Sequence, residues 1–219
     1  MKYTAAIFDL DGTLIDSIRD IAESMNRTLE AMGFPAHPVD AFRYFIGDGV
    51  TLLVQRALPP EVRESPEVLE QFLAAYRRDY LAHWRVHTRP YSGIPDLLAR
   101  LVQEGVALGV LSNKPDRATQ LCVEHFFPDI PFISVSGQKE DVPRKPDPTA
   151  ALAMAESMNT APARCVFIGD TATDMQTATA AGMFPAGVTW GFRGETELIE
   201  SGARLIAHVP QALEGLFTP

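Results

Sequence analysis

Cysteine is scarce in this chain. Cys122 and Cys165 are its only two, far apart and without a CxxC or Cys/His spacing around either. That scarcity argues against a disulfide framework and against a zinc site, and leaves two free thiols in or near the core. Positive charge is short as well: 19 Lys and Arg face 28 Asp and Glu, for a formal charge of -9. A nucleic acid or an anionic membrane needs basic surface, so neither is expected as a partner. A small anionic substrate stays open, because a few local cations outweigh the average field inside a pocket. No uninterrupted apolar run reaches membrane-spanning length. The apolar stretch at the start is broken by Asp9, too early for a secretory segment. The expectation is a cytoplasmic protein, monomer or homodimer. The histidines are scattered, and His83 and His87, although four apart, lack the Glu of a metalloprotease helix.

What is present is an ordinary globular composition, 46% hydrophobic and 21% charged. Short apolar runs, YTAAIF, VALGVL, FISVS, CVFIG and AGVTW, each end in polar residues or Gly and alternate with helical patterns such as PDLLARLVQEG. Alternation of that kind predicts βαβ units and a doubly wound parallel sheet. It fails between Ser17 and Arg89, where IRDIAESMNRTLEAMG and PEVLEQFLAAYRRDYLAHW read as long amphipathic helices. The stretch FRYFIGDGVTLLVQRALPP between them reads as two shorter helices broken at Gly47 and Gly49. The predicted class is therefore α/β: a core of residues 1–16 and 90–219, with a small helical cap of residues 17–89 inserted after the first strand. The cap is expected to carry its own small core and to act as a lid.

Four clusters carry chemistry. In FDLDGT, Asp9 and Asp11 leave the first strand two residues apart and in extended geometry face the same way. Gly12 permits a sharp turn, and Thr13 can bond a phosphate oxygen or cap the next turn. A solvated Asx-turn is the plainer reading of an Asp-Gly pair. Ser112 and Asn113 follow VALGVL at a strand edge where open α/β sheets hold ligands, although an N-cap reads the same way. Lys145 in RKPDP precedes a helix and by itself reads as a solvated lysine. CVFIGDTATDM places Asp170 after a strand and Asp174 at a helix start, on one face if that turn is helical.

FDLDGTLIDS, a helical insertion, LSN, RKP and GDTATD, in that order, resemble the four-motif signature of the haloacid dehalogenase superfamily of phosphohydrolases. The resemblance covers the whole chain. It implies a Rossmann-like core in which the strands carrying the first, second and fourth motifs lie side by side. It implies that Asp9 attacks phosphorus and forms an aspartyl-phosphate. Asp11 would protonate the leaving oxygen and then activate water. Mg²⁺ would be held by Asp9, the Asp11 carbonyl and Asp170, with Asp174 ordering the site from nearby. Ser112 and the Asn113 backbone would hold phosphate oxygens, and Lys145 would offset developing charge. Thr171 stands where relatives commonly have Ser, and keeps the hydroxyl.

Asp11 argues against a dehalogenase, and the absence of lysine from the insertion argues against the phosphonate-cleaving relatives, which use one there. Sugar-phosphate mutases place a histidine near the first cap helix, whereas the first here is His37. FIGDGVTLLVQRAL and WGFRG resemble the phosphoglycolate phosphatases. In that reading a Gly47-Asp48-Gly49 turn brings backbone donors to the reacting centre, and Arg43 or Arg56 meets a substrate carboxylate. The plainer reading has Gly47 and Gly49 end a helix and both arginines lie in water. The expected activity is hydrolysis of a small phosphorylated metabolite, 2-phosphoglycolate first, with pyrophosphate or a sugar phosphate as alternatives. A non-catalytic phospho-acceptor of the receiver type also combines an acidic pocket with a lysine, but its acceptor Asp follows the third strand and no lid is inserted. A binding protein with a vestigial site is the third alternative, disfavoured by the complete set of acidic residues.

Overall fold

A computed structural model describes residues 3–217. From the amino end the elements are β1 (Ala5–Phe8), β2 (Ile15–Asp16), α1 (Ile18–Ala31), α2 (Phe42–Phe45), α3 (Val50–Ala57), α4 (Pro66–His83), β3 (Arg89–Pro90) and α5 (Ile94–Gln103). The chain continues through β4 (Ala107–Pro115), α6 (Asp116–Phe126), β5 (Ser134–Gln138), α7 (Thr149–Ser157), β6 (Cys165–Gly169), α8 (Ala172–Ala180), β7 (Phe184–Val188), α9 (Glu195–Glu200) and β8 (Leu205–Ala207).

Six strands form a parallel sheet in the order β5-β4-β1-β6-β7-β8. After β1 the chain builds outward on one side through β4 and β5. It then returns to place β6 on the other side of β1. That reversal is the topological switch point of a doubly wound α/β fold, where the carboxyl ends of the strands open a crevice. Burial of β1 on both faces follows from its alternation: Ala6 and Phe8 join one apolar cluster, Ala5 and Ile7 the other.

The Ser17–Arg89 region is helical apart from the two-residue β3 at its end, and its short helices break around Gly47 and Gly49 as the sequence predicts. α4 starts by the local rules, with Ser65 accepting the Val68 N–H and Pro66 in the first turn. The insertion has no separate core: Met25, Leu29, Phe42 and Phe72 are fully buried within the cluster that includes Phe8 and Leu97. Its two ends are also tied together. β2 pairs antiparallel with β3, and Asp20 accepts the backbone N–H groups of His87 and Thr88 and the Thr88 hydroxyl.

Three strand boundaries differ from the sequence reading. β4 runs on to Pro115 through a register shift, so Ser112 and Asn113 lie in an irregular stretch rather than beyond the strand. Irregularity of this kind re-aims side chains. β5 begins at Ser134, two residues into FISVS, and β7 at Phe184, two residues before AGVTW, and the edge strand β8 carries too short an apolar run to stand out. No helix among the described residues is long and apolar enough to cross a membrane.

Candidate active site

The turn after β1 is wound tightly about one carbonyl, with the N–H groups of Thr13, Leu14 and Ile15 all directed at Leu10 O. Gly12 has φ +90°, and a Cβ there would collide with the Asp170 carboxylate. Glycine is therefore required twice over, by conformation and by the approach of Asp170. Asp9 is held at the end of β1 by its N–H to Ile168 O on β6, at 2.9 Å. Asp170 follows β6, and Asp174 lies in the first turn of α8.

These three buried carboxylates converge, with one oxygen from each lying within 4.8 Å of the others. Asp170 accepts the Thr13 hydroxyl at 3.0 Å and the Phe192 N–H at 2.8 Å. Asp174 does not meet Asp170 by sharing a helix face, because Asp170 precedes the helix. It is positioned by a capping box: its Oδ2 accepts the Thr171 N–H and hydroxyl while Oδ1 takes Lys145. Asp11 turns elsewhere.

Two buried lysines answer the acidic residues. Lys145 Nζ donates to Asp9 Oδ1 at 2.9 Å, Asp174 Oδ1 at 2.7 Å and Leu111 O at 3.0 Å, which uses all its protons. The reading of Lys145 as a solvated lysine fails, since it is 4% exposed. Its backbone is fixed by Asn113, whose amide accepts Lys145 N–H and donates to Lys145 O, both at 3.0 Å. Lys114 Nζ forks across both oxygens of Asp11 at 2.9 Å and lies 4.7 Å from the centre of the Tyr80 ring. The Ser17 hydroxyl donates to the same Asp11 carboxylate.

Burial pushes the Asp9 carboxyl up to about 6, against the pull of Lys145 and with help from Asp174. Asp170 is pushed well above the ordinary carboxylate range by burial first, then by Asp9 and Asp174. Asp174 and Asp9 in turn hold the Lys145 ammonium above its ordinary value, against burial. When all are ionised, four carboxylates face two ammonium groups, so two negative charges stay uncompensated. Clustered hard oxygen donors with that excess fit a divalent cation.

The raised Asp9 value has a consequence for stability. Between 3.8 and about 6 the folded metal-free protein binds a proton at Asp9 that the unfolded chain does not. Stability is therefore lost as pH rises through that window. Asp9→Asn removes the penalty. In chelator at pH 7.5 the variant is expected to be more stable than the native chain by about 1–3 kcal/mol, the difference vanishing below about pH 4. Urea unfolding at the two pH values measures it, and a less stable variant at pH 7.5 would contradict this picture of Asp9.

Above the carboxylates is a cavity of ≈ 200 Å³, lined from the core by Asp9, Asp11, Ser112 and Asn113 and from the insertion by Gly47 and Gly49. The loop carrying the two glycines is seated on the core. Asn113 donates to Gly47 O, Arg144 to Asp48 O, Thr173 to Asp48 Oδ1 and Arg193 to Ile46 O, each at 3.0 Å. Ser112 Oγ accepts the Lys114 N–H, and its own proton has no acceptor among the described residues.

Three expected substrate contacts fall elsewhere. Thr13 is fully buried against Asp170, because the turn about Leu10 points it beneath the carboxylates rather than into the cavity. Arg43 donates to Gly191 O at 2.9 Å and lies 3.6 Å from Asp40, and Arg56 is paired with Asp48 and Phe45 O. Sequence reasoning missed Lys114. Its signal was a charged residue directly after LSN in a chain with four lysines, but its partner Asp11 is 103 positions away.

Residues 6–188 match the model of the haloacid dehalogenase-like hydrolases. A phosphoglycolate phosphatase of Pseudomonas putida is 33% identical over 97% of this chain and 79% of its own length. One from Neisseria meningitidis is 33% identical over 97% of this chain and 93% of its own. In backbone, the chain is similar to a crystal structure from Lactobacillus delbrueckii subsp. bulgaricus provisionally assigned as a phosphoglycolate phosphatase. The TM-score is 0.92 with 33% identity, covering 99% of both chains. Similarity running the length of the chain in both sequence and backbone leaves one assignment: the chain belongs to the haloacid dehalogenase-like hydrolases and is a phosphatase of that family.

Proposed function

We propose that the chain hydrolyses 2-phosphoglycolate through an aspartyl-phosphate on Asp9, with Mg²⁺ held by Asp9, Asp170 and the Asp11 carbonyl and with Asp174 alongside. The observation that carries the reading is the asymmetry of Asp9. Its Oδ1 is pinned by Lys145, while Oδ2 has no partner among the described residues and the side chain lines the cavity. A carboxylate fixed by one oxygen and free at the other is arranged to attack.

In the first half-reaction Asp9 bonds to phosphorus as the phosphorus–ester oxygen bond breaks, and Asp11 gives its proton to the departing glycolate oxygen. In the second, Asp11 takes a proton from water, which attacks phosphorus and releases Asp9 and inorganic phosphate. The fork from Lys114 and the Ser17 hydroxyl suit the ionised Asp11 of the second half, so protonation for the first requires that the fork open. Ser112 and the Asn113 main chain would hold phosphate oxygens, and Lys145 steadies the charge on Asp9 throughout. When bound, the cation would offset charge on the phosphoryl oxygens and on Asp9, allowing two anions to meet.

Residues 17–89 act in this reading as the cap, and the seating of the loop at Gly47 and Gly49 over the cavity supports it. The name shared by the relatives supports the substrate. A turnover panel of phosphoglycolate, pyrophosphate and sugar phosphates, with Mg²⁺ and with chelator, tests both. Phosphoglycolate is expected to be hydrolysed fastest and only with the metal, whereas a preference for pyrophosphate overturns the substrate alone.

A further inference from the structure

The arginines in and around the loop at Gly47 and Gly49 are already engaged: Arg43 on Gly191 O, Arg56 on Asp48, Arg144 on Asp48 O, Arg193 on Ile46 O. Arg77 and Arg117 differ. Each lines the same cavity as Asp9, and neither has a hydrogen-bond or ion-pair partner among the described residues. Arg77 projects from α4 of the insertion and Arg117 from the first turn of α6 in the core. Leu53, Leu81 and Ala118 of the same lining offer nothing polar to an anion. Both arginines are exposed to solvent, and what sets them apart from the equally unpaired Arg78 is that they line the cavity that holds Asp9.

We propose that Arg77 and Arg117 form a second anion subsite across the mouth of the cavity, selecting phosphate esters that carry a further carboxylate or phosphate. Each planar fork matches a carboxylate or phosphate edge. Because one arginine comes from the insertion and the other from the core, the same anion joins the two parts when substrate is bound. The subsite rests on the phosphomonoesterase reading above and gives it a selectivity determinant that Arg43 and Arg56 do not supply.

The test is calorimetric titration, in magnesium buffer, of the native chain and of Arg77→Gln, Arg117→Gln and the double variant. The ligands are phosphonoacetate, a non-hydrolysable phosphonate with a carboxylate, and methylphosphonate, which lacks it. The native chain is expected to bind phosphonoacetate at least about tenfold more tightly, each single variant to lose about fivefold of that preference, and the double variant to lose it all. Arg→Lys at either position is expected to restore it in part. The same variants are assayed for kcat/KM on phosphoglycolate and on p-nitrophenyl phosphate, and the ratio of the two is expected to fall with the binding preference. No preference in the native chain, or one that survives the double substitution, overturns the subsite. Failure to hydrolyse phosphoglycolate with the binding preference intact counts against the activity and leaves the subsite standing.

Discussion

Asp9→Asn is expected to lower turnover of every phosphate ester at least about a thousand-fold, a loss of roughly 4 kcal/mol of transition-state stabilisation. Asn has the shape of Asp and keeps an oxygen for Lys145 Nζ, which now donates to Asp9 Oδ1 at 2.9 Å. What it removes is the charge and nucleophilicity of the second oxygen, so packing changes little while the attacking atom is lost. The stability shift separates this from unfolding: in chelator at pH 7.5 the inactive variant is expected to be the more stable of the two. Few disruptive substitutions raise stability as they abolish activity, and that combination identifies a group held at a cost to the fold. Steady-state rates and urea unfolding on the same preparation measure both. A variant keeping a tenth or more of native turnover would remove Asp9 from the reaction.

Asp11→Asn should split by leaving group. On 2-phosphoglycolate, whose alkoxide departs poorly without a proton, the loss is expected to be about 10²–10⁴-fold. On p-nitrophenyl phosphate the phenolate leaves unaided, so the first half-reaction proceeds and the second stalls for want of a base. The expected trace is a burst of nitrophenolate stoichiometric with enzyme, followed by slow steady turnover. Asp11 is also the partner of buried Lys114, which the variant leaves with a neutral acceptor in place of a carboxylate. Some loss of stability accompanies the change, and a circular-dichroism melt establishes the folded fraction against which the burst is normalised. Equal losses on the two esters with no burst would show that Asp11 moves no proton in either half.

Much of this was legible because the signals are local. Strands ending in FDLDGT and CVFIGD, the Gly47 and Gly49 breaks and the helical character of the insertion follow from short windows of periodicity and turn chemistry. So the parallel sheet could be anticipated, while the convergence of Asp9 and Asp170 at its carboxyl edge was implied by the resemblance to the family. The rest depends on partners distant in sequence. Lys145 reads as a surface lysine until Asp9, 136 positions away, and Asp174 are brought to it. Lys114 looks like one more residue after LSN until Asp11 meets it. Arg43 and Arg56 sit beside the right glycines, yet the fold turns both to other acceptors, while Arg77, on α4, lines the cavity. Thr13 follows the motif correctly but rotates beneath the carboxylates, a direction set by the turn about Leu10. Residue type and spacing reveal which groups are available; tertiary pairing decides which of them face the ligand.

The central claim is a covalent bond between Asp9 and phosphorus, and the Asp11→Asn chain is where it should accumulate. Mixing that variant with p-nitrophenyl phosphate and Mg²⁺, quenching in acid during the burst and mapping peptides by mass spectrometry reads it directly. The account predicts a phosphoryl adduct on the peptide containing Asp9, lost on mild alkaline treatment and absent from an Asp9→Asn/Asp11→Asn control. An adduct on another residue, or a full burst with Asp9 unmodified, would contradict it.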